Sequence, residues 1–313
     1  MQTGTQSVAP PAGVVIVDKP AGITSHDVVA RVRRVFNTRK VGHAGTLDPM
    51  ATGVLILGIN AGTRILGHIS GAHKSYRATI RLGASSSTDD REGQLGALTP
   101  ARNISMEDVN VVLGRMRGEI MQRPSAVSAI KIDGRRAHAR VRDGQTVEIP
   151  KRAVTIFSLE VVNTDQVGDF LDIEVVANVS SGTYIRAIAR DLGDALSVGG
   201  HLTHLQRTSI GQFSCEDAVG LETLEESLEP WSAAISLEQV ARGIWPCRSL
   251  NQADSLAVRW GQRLTWPEDL IDPIIALIDH NGELAAVAER KEGRCAYLAV
   301  FPNDVKPPSS LQW

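Results

Sequence analysis

Cysteine is scarce in this 313-residue chain, and its three copies, Cys215, Cys247 and Cys295, stand far apart with no Cys-x-x-Cys pair. An odd, scattered set argues against a disulfide framework and against a cysteine-based zinc site. A reducing cytoplasm is the expected setting. No apolar run reaches the length needed to span a bilayer, so no membrane partner is expected. Residues 1–12 carry no basic flank followed by an apolar core, so no secretory signal is expected either. The chain also lacks an internal repeat, a Gly-x-Gly-x-x-Gly run and a Walker-type phosphate loop. His201 and His204 lie three apart with no third ligand nearby, and they read as ordinary side chains rather than metal ligands.

What is present is ordinary in bulk and uneven in detail. A hydrophobic content of 42% beside 22% charged residues is that of a soluble globular protein. The length suits one large domain plus a small one, or two of ordinary size. A net charge of −2 hides a strong asymmetry. Residues 11–152 carry 22 basic and 12 acidic groups, a net of +10, whereas residues 153–313 carry 11 and 23, a net of −12. The sharpest concentration of cations is Arg115, Arg117, Arg123, Lys131, Arg135, Arg136, Arg140 and Arg142, diluted only by Glu119 and Asp133. Such a stretch is either a solvated face or a surface that grips phosphates.

Periodicity gives a mixed pattern of strands and helices without regular alternation. Strands are expected at 13–17, 53–59, 75–82, 126–132, 154–163, 170–179 and 202–207. Helices are expected from an N-cap at Ser25 to Phe36, near 62–69, from a Ser105/Asp108 capping box to Arg117, and from a cap at Thr183 to Leu196. Ile185, Ile188, Ala189 and Leu192 should form the buried side of that last helix. Residues 85–100 read as a loop, Asp133-Gly134 as a turn, and 135–141 as a short basic helix or loop. A boundary falls near 222–246. Beyond it stand a helix at 253–261 and strands at 274–278, 283–288 and 295–301, with a hairpin at His280-Asn281-Gly282.

One segment carries chemistry. In Gly42-His43-Ala44-Gly45-Thr46-Leu47-Asp48-Pro49-Met50-Ala51-Thr52-Gly53 a single carboxylate sits among turn residues, just before the apolar run Val54-Leu55-Ile56-Leu57. This is a shaped loop presenting one acid at the edge of a sheet. An isolated Asp-Pro merely closes an Asx-type turn. This run, however, meets every specified position of Gly-His-x-Gly-x-Leu-Asp-Pro-x-Ala-x-Gly, and so resembles the catalytic loop of the tRNA pseudouridine synthase B family. Further blocks resemble the same family, in its order, between about residues 13 and 213. They are Asp18-Lys19-Pro20-x-Gly22-x-Thr24-Ser25, Lys74-Ser75-Tyr76-Arg77-Ala78, Ser181-Gly182-Thr183-Tyr184-Ile185-Arg186 with Asp191-Leu192-Gly193, and His201-Leu202-x-x-Leu205-x-Arg207-Thr208-x-x-Gly211-x-Phe213. Two places depart from it. Many members have Pro-Pro-x-Tyr-Ser-Ala where this chain has Arg123-Pro124-Ser125-Ala126-Val127-Ser128-Ala129, and Arg-x-Tyr where it has Arg136-Ala137-His138.

The resemblance implies an α+β pseudouridine synthase fold, with a mixed, mainly antiparallel central sheet flanked by helices. It divides the chain into a flexible N-terminus (1–12), a catalytic domain (13–240), a small β-rich PUA-like RNA-binding domain (247–304) and a loose tail (305–313). It implies an isomerisation at the T-loop uridine of tRNA, position 55, without cofactor or metal. Asp48 is then the catalytic carboxylate, acting as nucleophile at C1′ or as a base on the sugar. Arg186 pairs with it, Tyr76 stacks on the extruded base and takes part in removing the C5 proton, and Tyr184 is a second aromatic of the pocket wall. Lys19 supports its turn and the site's electrostatics, and His43 fills the space the flipped base leaves. Arg123, Lys131, Arg135, Arg136, Arg140 and Arg207 are expected to contact RNA. The expected partner is the tRNA T-stem-loop, and the expected state is a monomer. A non-catalytic RNA-folding protein on the same scaffold and a hydrolase using Asp48 are the competing readings.

Overall fold

The structure, a computed structural model, describes residues 11–125, 131, 132, 135, 136 and 149–301. Residues 1–10 of the expected flexible N-terminus, the tail, residues 126–130, the Asp133-Gly134 turn and Arg140 lie outside the described residues. In chain order the first elements are β1 (Gly13–Lys19), α1 (Ser25–Val35), β2 (Val41–Ala44), β3 (Thr52–Ile59), α2 (Leu66–Ser70), β4 (Lys74–Leu82) and α3 (Met106–Met116). There follow β5 (Gly118–Gln122), β6 (Lys131–Ile132), β7 (Arg135–Arg136), β8 (Arg152–Val167), β9 (Phe170–Val179), α4 (Ile185–Ala195) and β10 (Gly200–Ile210). The last are β11 (Phe213–Ser214), β12 (Val219–Gly220), α5 (Leu221–Glu226), α6 (Leu237–Ile244), β13 (Cys247–Ser249), α7 (Gln252–Arg259), β14 (Ile274–Ile278), β15 (Leu284–Lys291) and β16 (Arg294–Val300).

Two compact units emerge. One comprises residues 11–47, 55–70 and 216–301. Here β1 lies between β12, to which it is parallel, and β3, while β2 runs antiparallel to β3 with His43 opposite Leu57. Continuous apolar runs, Val14–Val17 and Leu55–Leu57, are buried, as strands covered on both faces require. A separate four-stranded sheet, β13-β14-β15-β16, encloses a core of Leu250, Val258, Trp266, Ile275, Leu277 and Cys295. The expected hairpin joins β14 to β15. The Asp279 carboxylate accepts from the Asn281 and Glu283 amides, and Gly282 takes the left-handed conformation.

The other unit comprises residues 48–54 and 71–215. The start of β3 pairs in parallel with β10, and β10, β4, β9, β8 and β5 follow side by side, all antiparallel. The sheet is thus mixed and mainly antiparallel, as expected. In β4 the period-two pattern buries Lys74, Tyr76, Ala78, Ile80 and Leu82. On the opposite face Arg81 meets Asp172 of β9 through two bonds of 2.7 Å. On α4 the expected face of Ile185, Ile188, Ala189 and Leu192 is buried, and Arg186 is buried with it.

Local departures have simple causes. Thr24, not Ser25, caps α1, because it stands three residues before Asp27 and completes a reciprocal capping box. The residues near 62–69 split into a 3-10 turn, Asn60–Arg64, and the short α2. Tyr184, not Thr183, is the α4 N-cap, and Gln122 substitutes for a side-chain cap by accepting from the Tyr184 amide at 2.9 Å. Arg135–Arg136 is a strand paired with Lys131–Ile132 rather than the start of a helix or loop. His201 and His204 sit on strand β10, not a helix. His201 is buried with Nδ1 2.9 Å from the Ala84 carbonyl, whereas His204 is exposed.

Candidate active site

The loop that holds Asp48 is fastened at both ends. Before it, the buried Ser25 hydroxyl accepts from the Leu47 amide at 2.9 Å and donates to the Leu47 carbonyl at 3.1 Å. A residue whose expected role was a cap thus pins the chain one position ahead of the acid. After it, the Ala51 amide donates to the Asp48 carbonyl at 3.1 Å, closing a turn with Pro49 at its first central position. Gly53 then enters β3 at φ +96°, directly opposite Arg207 of β10. A Cβ there would stand 2.2 Å from the Arg207 carbonyl oxygen, so only glycine admits this approach.

Asp48 does not stand alone. Arg186, in the first turn of α4, places Nε 3.0 Å from Asp48 Oδ2. Its Nη1 donates to the Thr88 carbonyl at 3.0 Å and to Asp90 Oδ2 at 3.1 Å. The guanidinium and the Asp90 carboxylate are 5% and 2% exposed, whereas Asp48 is 35% exposed. The fork is therefore held from behind by a buried acid and offers its remaining edge to the acid that substrate can reach. Asp90 also accepts from the Thr88 hydroxyl and the Glu92 amide. Burial, with the Asp90 and Asp48 carboxylates nearby, pushes the Glu92 carboxyl above its ordinary range. The guanidinium thus lies between a buried carboxylate and a partly exposed one, an opposite charge that fixes the exposed acid in place.

Sequence reasoning missed Asp90, placing it in an undifferentiated loop. The available signal was the cluster of acids Asp89, Asp90 and Glu92 within four positions of that loop. Tyr76 lies where β-sheet register aligns Gly53, Arg207, Tyr76 and Ala177 in one row across β3, β10, β4 and β9. With strands spaced about 4.8 Å apart, that row sets Tyr76 roughly 10 Å from the end of the Asp48 loop. Tyr76 is 7% exposed on the covered face of the sheet. Tyr184 is half-buried, and the Gln122 side chain both accepts from its amide and donates to its carbonyl.

One expected RNA contact, Arg207, proves to be internal, and Lys19 supports its turn as expected. Arg207 is 1% exposed, and its Nε donates to the Val54 carbonyl at 2.8 Å, so it ties β10 to β3 instead of standing on the surface. Lys19 is fully buried, its ammonium donating to the carbonyls of Pro20 and Ile23, and it closes its own turn. His43 is half-buried on β2, with its ring edge-on to His26 at 5.6 Å. Arg123 is exposed. Lys131, Arg135 and Arg136 lie on the paired strands β6 and β7.

Lys74, buried beside the Arg207 cation, has its ammonium pushed down to about 8 from 10.5 by loss of solvent and then by that charge. Between those values the unfolded chain holds the proton that the folded chain has released, so this group adds stability as pH rises through the window. Urea midpoints of wild type and Lys74→Met should show it. The wild-type-minus-variant difference is expected to rise between pH 8 and 10.5, and a flat difference would refute the buried ammonium.

Comparison with known proteins places these features. Residues 33–185 match the TruB family pseudouridylate synthase N-terminal domain, and residues 186–250 match the tRNA pseudouridylate synthase B C-terminal domain. The chain belongs to the TruB family of pseudouridylate synthases. It is similar to the tRNA pseudouridine synthase B of Corynebacterium efficiens, 48% identical over 293 residues, 93% of this chain and 97% of that protein. Its likeness to the Mycobacterium tuberculosis tRNA pseudouridine synthase B is 46% over 289 residues, 92% and 95% of the two chains. Among solved structures it is similar to a chain of a Cbf5-Nop10-Gar1 complex, with a TM-score of 0.69 at 25% identity over 94% of this chain and 85% of that one. The archaeal box H/ACA sRNP Nop10-Cbf5 complex contains a chain of the same fold, with a TM-score of 0.68 at 24% identity over 97% and 90%. The TruB match to the N-terminal domain includes Asp48, Tyr76 and Asp90, and ends one residue before Arg186.

Proposed function

We propose that this chain converts the T-loop uridine of tRNA, position 55, to pseudouridine, with Asp48 as the catalytic carboxylate. The observation that carries the reading is the Asp48–Arg186–Asp90 cluster, a partly exposed acid on a guanidinium anchored by a buried acid. The relatives named tRNA pseudouridine synthase B, spanning nearly the whole of both chains, support tRNA as the substrate. The reaction breaks the bond from uracil N1 to ribose C1′ and forms one from C5 to C1′. Asp48 either adds to C1′ or removes a sugar proton as N1 departs. The base turns within the pocket and C5 bonds to C1′, displacing the Asp48 carboxylate in the first route or with return of the sugar proton from Asp48 in the second. The C5 proton then leaves and N1 gains one, so the product is an isomer. Arg186 faces the Asp48 carboxylate and holds it aimed for its step at the sugar, and Tyr76 stacks on the base and takes part in the loss of the C5 proton. The catalytic unit is assigned to residues 13–240, and the β-rich module within 247–304 is assigned to RNA binding. Arg123, Lys131, Arg135, Arg136 and Arg140 are the phosphate contacts, and the protein works as a cytoplasmic monomer.

The test is release of tritium from tRNA transcripts labelled at uracil C5. Only carbon–carbon bond formation at C5 expels the label. Wild type should release one equivalent from a normal transcript and none from a transcript with cytidine at position 55. Release from the substituted transcript would move the target elsewhere, and release from neither would overturn the activity.

A further inference from the structure

Behind the Arg186 cluster stands a second arginine that no part of the reaction uses. Arg190 follows Arg186 by one turn of α4, on the same side of the helix. Its Nη1 meets Asp89 Oδ2 at 3.1 Å, its Nη2 donates to the Arg123 carbonyl at 2.7 Å and its Nε donates to Asp191 at 2.9 Å. Arg190 and Asp89 are 13% and 12% exposed, so the pair is shielded and geometrically defined. Two consecutive acids, Asp89 and Asp90, are thus gripped by two arginines a helical turn apart.

The turn between them is under constraint. Asp89 sits at φ +61°, a left-handed conformation that a non-glycine residue adopts only when its surroundings impose it. Its amide donates to the Ser86 carbonyl at 3.1 Å and its carbonyl accepts from Leu202 of β10 at 3.0 Å. The Thr88 carbonyl, which Arg186 uses, also accepts from the fully buried Ser125 hydroxyl at 3.1 Å.

We propose that Arg190 and Asp89 are positioning residues for catalysis, fixing the Thr88–Asp90 turn and through it the direction in which Arg186 presents its edge to Asp48. The inference rests on Asp48 being the catalytic carboxylate. Neither residue touches the substrate. Releasing their contact lets Thr88 and Asp90 relax, and Arg186 turns away from the line to Asp48. A displacement of about 1 Å at such a group costs up to roughly 100-fold in rate.

The measurement is single-turnover tritium release at saturating tRNA, alongside tRNA affinity and thermal midpoint. Arg190→Gln and Asp89→Asn should each lower the rate by roughly 10- to 100-fold, with affinity within about twofold of wild type. The double variant should be no slower than the slower single one, because both break the same contact. Ser125→Ala, a smaller change that leaves the ion pair, should lower the rate by less, and it decides the matter if Arg190→Gln does not fold. A wild-type rate in folded Arg190→Gln, or in Ser125→Ala, would overturn the proposal, as would multiplicative losses in the double variant. So would a loss confined to affinity, which would make Arg190 an RNA contact. An inactive Asp48→Asn beside a wild-type Arg190→Gln would remove this inference alone, whereas an active Asp48→Asn would remove the proposed function itself.

Discussion

Asp48→Asn is expected to release no tritium from C5-labelled tRNA, a loss of roughly three orders of magnitude or more, on the scale of removing a nucleophile. The amide keeps the size of the side chain, and the turn is closed by backbone through Ala51, so the loop should keep its shape. Arg186 retains Asp90 and the Thr88 carbonyl, so no buried charge is left alone. Binding of tRNA should therefore stay within a few-fold of wild type, and the thermal midpoint should barely move. What disappears is the anion, and with it both candidate routes, since an amide neither attacks C1′ nor removes a sugar proton. Turnover at the wild-type rate would end the assignment of Asp48. Loss of turnover accompanied by loss of the folded state would instead point to a structural acid.

Gly53→Ala is the second large effect, and it arises from packing rather than chemistry. The new methyl group would meet backbone atoms of Arg207, the carbonyl oxygen at 2.2 Å and the amide nitrogen and carbonyl carbon at 3.0 Å, none of which moves without shifting β10. The φ of +96° adds strain for any residue with a Cβ. Together these should cost about 3 kcal/mol or more, lowering the thermal midpoint on the order of 10 °C. Because Gly53 closes the Asp48 loop, turnover should fall in the protein that remains folded. Gly67→Ala is the matched control, since Gly67 lies in helix α2 with nothing within 4 Å of an added Cβ. A midpoint for Gly53→Ala close to that of Gly67→Ala would show that β3 and β10 do not need this close approach.

Residues adjacent in sequence were the readable ones. The acid loop, the α4 face and the β14–β15 hairpin each declare themselves within a dozen positions, the first and last through their turn residues and the helix face through its period. Arg186 emerged beside Asp48 only through a resemblance, since 138 positions separate the two and no periodicity links them. Misreadings followed one pattern. Arg207 was expected at the RNA surface, where cations usually lie. Burial reversed this, as the Val54 carbonyl faces inward to receive it. Ser25 looked like a cap because hydroxyls favour helix starts, and Thr24 took that place by standing at the spacing Asp27 required.

The sequence by itself determined the mixed pattern of strands and helices and the loop that presents Asp48, because these are written in local spacing, turn residues and alternation. It also carried the blocks whose resemblance to the family implied the class of fold. Tertiary structure alone decided which acid backs Arg186, which arginine steadies that acid's turn, and why Gly53 admits no side chain. Each of these depends on two segments far apart in the chain meeting at about 3 Å or less, in places where a charge must find its partner and a backbone must leave room.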